Sequence, residues 1–382
     1  MTQDKMAVWI EPSYMDTPWC RLLQQGIKTE LSRFRRKVDC SVIKDPQSLV
    51  VSNGILVLAG ETESWINRML EYAYDKNYRV CMACSDSDSI MPYVSTVTLD
   101  RRGDMCLMMQ YLFDNDRKRI ALFGVNLSSP ADQKRVEGYL SMVTHLQLPL
   151  NRNDIYPTFG DVHACVDHLF RNIDRYDAII SGNDLYAVYL NAKLKELGVQ
   201  VPEQIYLASF GNTLLSKCTT PSLTTMALDH FELGRQVVHL SLDLERNPHI
   251  TKESITIEGH IFIRESTGNQ APSSRRQRLN TFKTSQEISS YSDAHLHEVV
   301  SLELCLTTCD QLDFSIIQEL LNGKTVNSIA DDLFISQGTL NYRLNKLYQQ
   351  AGVSSRVQFE SLFHAYLPKF SAESIAVDSM PE

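Results

Sequence analysis

The run Gln337-Gly-Thr-Leu-Asn-Tyr-Arg-Leu-Asn-Lys346 mixes hydrogen-bonding and cationic side chains with leucines at helical spacing. Turning a helix by about 100° per residue from Leu340 puts Leu344 and Leu347 on its buried side. Gly338, Tyr342, Asn345 and Lys346 then face the other way, with Asn341 and Arg343 on the flanks. Such a face suits a nucleic-acid groove: Asn pairs with adenine edges, Tyr donates or stacks, Lys and Arg neutralise phosphates, and a Gly lets the backbone approach closely. Gln337, Gly338, Thr339, Asn341, Tyr342, Arg343, Asn345 and Lys346 are therefore the candidate DNA contacts. The bland alternative is a small helical interaction module with a solvated polar face.

Three other groupings carry less chemistry. Asn322-Gly-Lys-Thr325 has the tail of a phosphate-binding loop, but Gln318 stands where its first Gly must be and no strand precedes it. Cys81-Met-Ala-Cys84 has redox or zinc spacing on an expected strand with no second ligand pair, so buried thiols are the better reading. His163, Cys165, Asp167 and His168 fall on one helix, yet only some share a face. No Ser-His-Asp or Cys-His arrangement and no acid–base carboxylate pair stands out. No catalytic residue, metal or cofactor is expected.

The elements that position these residues divide the chain. Up to about Thr267, short apolar runs alternate with amphipathic stretches, the βαβ pattern of doubly wound parallel sheets. Strands are expected at Met6–Ile10, Val38–Ile43, Gly54–Ala59, Arg79–Cys84, Arg119–Gly124, Ile155–Phe159, Asp177–Ser181 and Gln204–Phe210, in two sheets that divide near Leu99 to Gly103. Helices are expected between them, Pro18–Lys37 and Phe231–Glu245 among them. A polar, basic stretch from Asn269 to Asn280 reads as a linker. Short amphipathic helices follow at Phe314–Asn322, Val326–Leu333, Gln337–Gln350 and Arg356–Ala365, with Ser336 as an N-cap.

Composition sets the outer limits. The 382 residues suffice for two or three cores, and the apolar (43%) and charged (22%) fractions are ordinary for a soluble chain. No stretch approaches the length of a membrane span, and the N-terminus lacks an apolar run of secretory length, so a cytoplasmic protein with reduced thiols is expected from its nine scattered cysteines. A net charge of −9 excludes a basic nucleic-acid-coating sheath but permits a local binding face.

From Leu312 to Leu362, the residues Ile316-Ile317, Ile329-Ala330, Ile335-Ser336, Thr339-Leu340 and Ala351-Gly352-Val353-Ser354 resemble the LuxR-type four-helix DNA-binding domain. The family commonly has Val-Lys after the helix-start Thr and a His two places on; Leu340-Asn341 and Arg343 stand here, so the fold transfers and the operator does not.

The first 265 residues or so resemble the ligand-binding domain of LacI/GalR repressors, which is built like a periplasmic binding protein. The matches are Val97–Asp100 with Gly103, Arg119–Gly124, Arg135–Tyr139, Asp177–Asp184, Leu197–Pro202 and Pro221–Thr225 with Leu233-Gly234. The resemblance implies a small polar ligand, with a sugar among the candidates, held between two lobes by Asp100, Arg135 and Asn183. Tyr14, Asp16 and Trp19 would add a wall, and Asn212 closes a Ser209-Phe210-Gly211-Asn212 segment where the family often has a carboxylate. The family's usual N-terminal reader does not precede the first strand.

The expectation is a two-lobed α/β sensor (1–267), a partly helical linker (268–308), an all-α LuxR-type reader (309–370) and a disordered tail (371–382). Its partners would be DNA, a small-molecule effector, a second copy of the chain and RNA polymerase, with no membrane. A degenerate sensor used for dimerisation or for holding a partner protein remains the alternative. A phosphorylated receiver is excluded because Gly54–Gly60 ends without an Asp. A flexible segment of thirty residues would span about 30 Å and transmit little orientation. Part of Asn280–Thr308 should therefore be an ordered helix, with Leu296, Val299, Val300, Leu302 and Leu304 as its apolar contacts.

Overall fold

A computed structural model describes residues 5–44, 46, 54–83, 93–269 and 296–372. In chain order the sensor region runs β1 (Lys5–Ile10), α1 (Pro12–Met15), α2 (Pro18–Arg33), β2 (Lys37–Val42), β3 (Ile55–Ala59), α3 (Glu63–Asp75), β4 (Arg79–Ala83), β5 (Ser95–Leu99), α4 (Arg101–Asp114), β6 (Ile120–Val125), α5 (Pro130–His145), β7 (Ile155–Pro157), α6 (Val162–Phe170), β8 (Ala178–Ser181), α7 (Asp184–Glu196), β9 (Tyr206–Phe210), α8 (Leu214–Cys218), β10 (Thr224–Ala227), α9 (His230–Arg246), β11 (Ser254–Ile257) and β12 (His260–Phe262). Then come α10 (His297–Thr307), α11 (Gln311–Leu321), α12 (Val326–Asp332), α13 (Gln337–Gln350) and α14 (Arg356–Tyr366).

The strands form two six-stranded sheets of the same doubly wound order, β11-β5-β4-β3-β1-β2 in the first lobe and β12-β10-β9-β8-β6-β7 in the second. Among the described residues all strand pairings are parallel except that of β12 with β10. The inner strands β3, β6, β8, β9 and β10 are buried along their whole length, as expected of strands covered on both faces.

The division near Leu99 is real but incomplete. The chain crosses to the second lobe at Asp100, returns after β10 so that α9 and β11 complete the first lobe, and crosses once more before β12. Helices α9 and α2 pack backbone to backbone there: a Cβ on Gly26 would lie 2.0 Å from the Phe231 carbonyl oxygen, and one on Gly234 2.2 Å from that of Leu23. Neither position admits a side chain.

Several boundaries shift by a residue or two. Helix α2 stops at Arg33 because Arg35 adopts a left-handed φ of 56°. Strands β5, β10, β11 and β12 were outside the expected set; β11 and β12 are short and half-exposed, with too few residues for an alternating pattern to register. Cys84, the stretch 270–295 and the tail 373–382 lie outside the described residues.

The expected stem helix is α10. Leu296, Val299 and Leu302 are fully buried, and half-buried Val300 packs on them, in a cluster continuous with second-lobe residues Leu185 and Leu215 and with the reader core of Ile316, Ile329, Leu340 and Phe359; Leu304 is half-buried outside that cluster. Among the described residues no helix is long and apolar enough to cross a membrane.

Candidate ligand cleft and DNA-reading face

The carboxyl ends of both sheets face one cleft, the place where doubly wound sheets leave a crevice. The first lobe contributes Tyr14 and Trp19 after β1, Gly60 and Glu61 after β3, and His230 at the start of α9. Arg101 projects from the first crossing. The second lobe contributes Ser129, Asp132 and Arg135 after β6, Gly182 and Asn183 after β8, and Phe210 at the end of β9.

Arg135 is 5% exposed. Its guanidinium donates to Asp132 Oδ1 at 2.5 Å and lies 4.9 Å from the Phe210 ring centroid, so its plane is fixed from two sides. Trp19 stacks on His230 at 5.6 Å between centroids, 24° from coplanar, forming a flat aromatic wall. His230 Nδ1 sits 2.9 Å from the Leu228 carbonyl and therefore donates to it, which leaves Nε2 as the acceptor of a neutral ring. Burial, reinforced by the charge on Arg101, pushes the His230 imidazole down to about 3.

Asn183 N-caps α7, accepting from the Tyr186 N–H at 2.9 Å, and still lines the cleft. Directly beneath it is Asp184, wholly buried. Its Oδ1 accepts from Ser209 at 2.5 Å and Thr225 at 2.6 Å, and its Oδ2 from the backbone and hydroxyl of Thr213 at 2.7 and 3.1 Å.

Of the residues expected at the ligand, the structure brings Tyr14, Trp19, Arg135 and Asn183 together. Three others fall outside that lining. Asp100 turns its carboxylate onto the Gly103 N–H and caps α4. Asp16 is exposed at the end of α1, outside the lining. Asn212 accepts from Arg264 at 2.5 Å and is not part of the lining. Sequence reasoning missed His230, Arg101, Glu61 and Asp132. Only Asp132 left a signal, as the acid three residues before Arg135 on one helix face.

In the reader, Ser336 caps α13 by accepting from the Thr339 N–H at 3.1 Å, and Leu340, Leu344 and Leu347 are buried against Ile329 and Ala330. Gln337, Gly338, Thr339, Asn341, Tyr342 and Asn345 are exposed. The two cations are held back. Arg343 donates to Asp310 at 2.8 Å and to the wholly buried Asp313 at 2.7 Å, and Lys346 lies 3.6 Å from Asp313. The Arg343 bond holds the Asp310 carboxyl below the usual carboxylate range. The reading face is thus polar but mostly neutral. Periodicity places a side chain on a face but says nothing of an acid two helices earlier in the chain.

Residues 109–267 match the family described as periplasmic binding protein-like domain, and residues 313–362 match the bacterial regulatory proteins of the luxR family. The chain thus carries a stretch that matches the periplasmic binding protein-like domain, followed by a C-terminal stretch that matches the luxR-family regulatory domain. Among curated relatives, the HTH-type transcriptional repressor PurR of Vibrio vulnificus is 23% identical over 217 residues, 56% of this chain and 64% of that protein. The NTD biosynthesis operon regulator NtdR of Bacillus subtilis is 29% identical over 164 residues, 41% of this chain and 49% of that protein. The match therefore spans less than two-thirds of either relative. Among solved structures, the transcriptional regulator CelR–cellobiose complex superposes with a TM-score of 0.61 at 18% identity, over 69% of this chain and 84% of that one. A LacI family regulator from Enterococcus faecium with bound ribose gives 0.56 at 20%, over 69% of this chain and 100% of that one. These likenesses establish the sensor's fold.

Proposed function

We propose that the protein is a ligand-responsive, DNA-binding transcription regulator. In this reading the sensor runs to Thr267, a stem to Thr308 and the reader to Phe370. A small polar molecule enters between the lobes and alters DNA binding by α13, in a homodimer whose two readers address RNA polymerase at a promoter. The observation that carries it is the pairing, in one chain, of a cleft at the carboxyl ends of two sheets with an exposed, polar second helix of a helix-turn-helix. Arg135, Asn183 and the Trp19–His230 wall supply a donor fork, an amide and a flat apolar surface, which suit a ring bearing hydroxyls or amides.

Thermal-shift screening of cellobiose, ribose, nucleosides and amino acids against the full chain tests the sensor. A stabilising compound whose effect Arg135→Ala abolishes supports the cleft. Selection of duplexes from a random pool tests the reader, with Asn345→Ala expected to relax base preference. A pool that yields no enriched sequence, together with a library that yields no shift, would overturn the proposal.

A further inference from the structure

We propose that Glu303 is the positioning residue that fastens the reader's stem helix to the floor of the cleft, so that movement of the lobes is felt by the reader. This rests on the regulator reading above for its biological meaning, but its geometry stands on the structure of the stem.

Glu303 is 2% exposed on α10. Its two carboxylate oxygens accept separately from the first two N–H groups of α8, Oε1 from Leu214 at 3.2 Å and Oε2 from Leu215 at 3.0 Å. The N-cap of α8 is Thr213, whose backbone and hydroxyl are both bonded to Asp184. Asp184 follows Asn183, which lines the cleft. A path of alternating peptide links and hydrogen bonds thus runs from cleft wall to stem, and α10 in turn packs on α13 and α14 of the reader. Helix α10 also approaches α2, the first-lobe helix whose first turn carries Trp19. The stem is therefore bonded to one lobe and flanked by the other, so closure of the lobes must slide α2 past a helix that Glu303 holds still. Burial pushes the Glu303 carboxyl up to about 7, against the pull of its two N–H bonds. A leucine would fill the space without that penalty, which favours a positioning role over packing.

Backbone hydrogen exchange on the full chain tests this without any small molecule. Glu303→Gln retains a single acceptor oxygen, and Thr213→Val removes the hydroxyl's bond to Asp184 together with its cap on the Ser216 N–H. Glu303→Gln should speed exchange at least ~10-fold at Leu214, Leu215 and Val299–Leu306, and several-fold at Tyr186–Val188 behind Asn183. Thr213→Val should speed exchange several-fold in α10, which its own side chain does not touch. If Thr213→Val leaves α10 at the wild-type rate, or if the effect of Glu303→Gln stops at α8 and α10, the carboxylate is only a local cap and the inference fails. Should Glu303→Gln not fold, Thr213→Val decides alone. A cleft that binds nothing in the screen, together with a duplex pool that yields no enriched sequence, would sink the regulator reading and leave this result unchanged.

Discussion

The two polar surfaces of this molecule are built on opposite plans. In and beneath the cleft a set of polar groups is buried and bonded before any ligand arrives: Arg135 to Asp132, Asp184 to Ser209, Thr213 and Thr225, and the neutral His230 ring to Leu228. On α13 the groups that would meet DNA are exposed and neutral, and the nearby cations are bonded to acids of α11 and its cap. A preorganised site gains rigidity at the cost of tolerance, because each buried polar group left alone is expensive. An exposed neutral face is insensitive to substitution and relies on geometry for what it recognises. The contrast implies large stability effects from the cleft and small ones from the reader.

Asp184→Ala should be the most damaging substitution. It removes a carboxylate that accepts four hydrogen bonds in a wholly buried setting and leaves the Ser209, Thr213 and Thr225 donors without it. A loss of about 3–5 kcal/mol is expected, read as a fall in the urea midpoint. If Asp184→Ala unfolds at the wild-type midpoint, the cleft floor is not the rigid element described here.

The second test uses pH. His230 is pushed down to about 3 from an ordinary value of 6.5, so the unfolded chain binds the more protons between those limits. Its stabilising contribution is complete above pH 6.5 and is lost as pH falls toward 3, by about 1.4 kcal/mol per unit. Between pH 6.5 and 5.5 wild-type stability should drop by about 1 kcal/mol relative to His230→Phe, which keeps an aromatic ring against Trp19. Parallel pH profiles for the two proteins would show that the ring titrates freely.

The same contrast explains what was legible in the sequence. The sheets, the helix-turn-helix and its Ser336 cap could be read because periodicity and capping are local. The cleft was half legible: Tyr14, Trp19, Arg135 and Asn183 follow strand ends, whereas His230 joins them only because α9 returns to the first lobe, a crossing that no local pattern announces. Asp100 caps α4, and an acid at a helix start suits a cap as well as a ligand, so its type and position could not separate the two roles. Glu303 left no trace, since its partners are backbone N–H groups 88 and 89 positions away.

Arg343→Met sharpens the reader side of the contrast. The substitution keeps the stem's length but removes the bonds to Asp310 and Asp313, leaving the buried Asp313 carboxylate with Lys346 at 3.6 Å as its cation. A loss of about 1–2 kcal/mol is expected. Because Arg343 is already committed to these acids, the slope of log affinity against log salt on random-sequence DNA should stay unchanged. A drop of about one unit would instead make Arg343 a phosphate contact.

The smallest effect is expected at Phe334, in the turn between α12 and α13, and it runs in the opposite direction. This residue has a left-handed φ of 54° and is 95% exposed, so it bears the backbone strain of a glycine position with no packing in return. Phe334→Gly relieves that strain, and the flexibility it adds to the unfolded chain offsets part of the gain. The net change should be a stabilisation of about 0.5–1 kcal/mol, a rise of a few degrees in the reader's unfolding transition. Two residues on, Ser336 caps α13, so the turn also sets how the helix begins. If Phe334→Gly stabilises the fold and leaves affinity for the selected duplex intact, the aromatic ring is incidental to reading. If it stabilises the fold yet weakens that affinity, the strained, exposed ring belongs to the DNA contact, and the reading face extends beyond α13 into the turn.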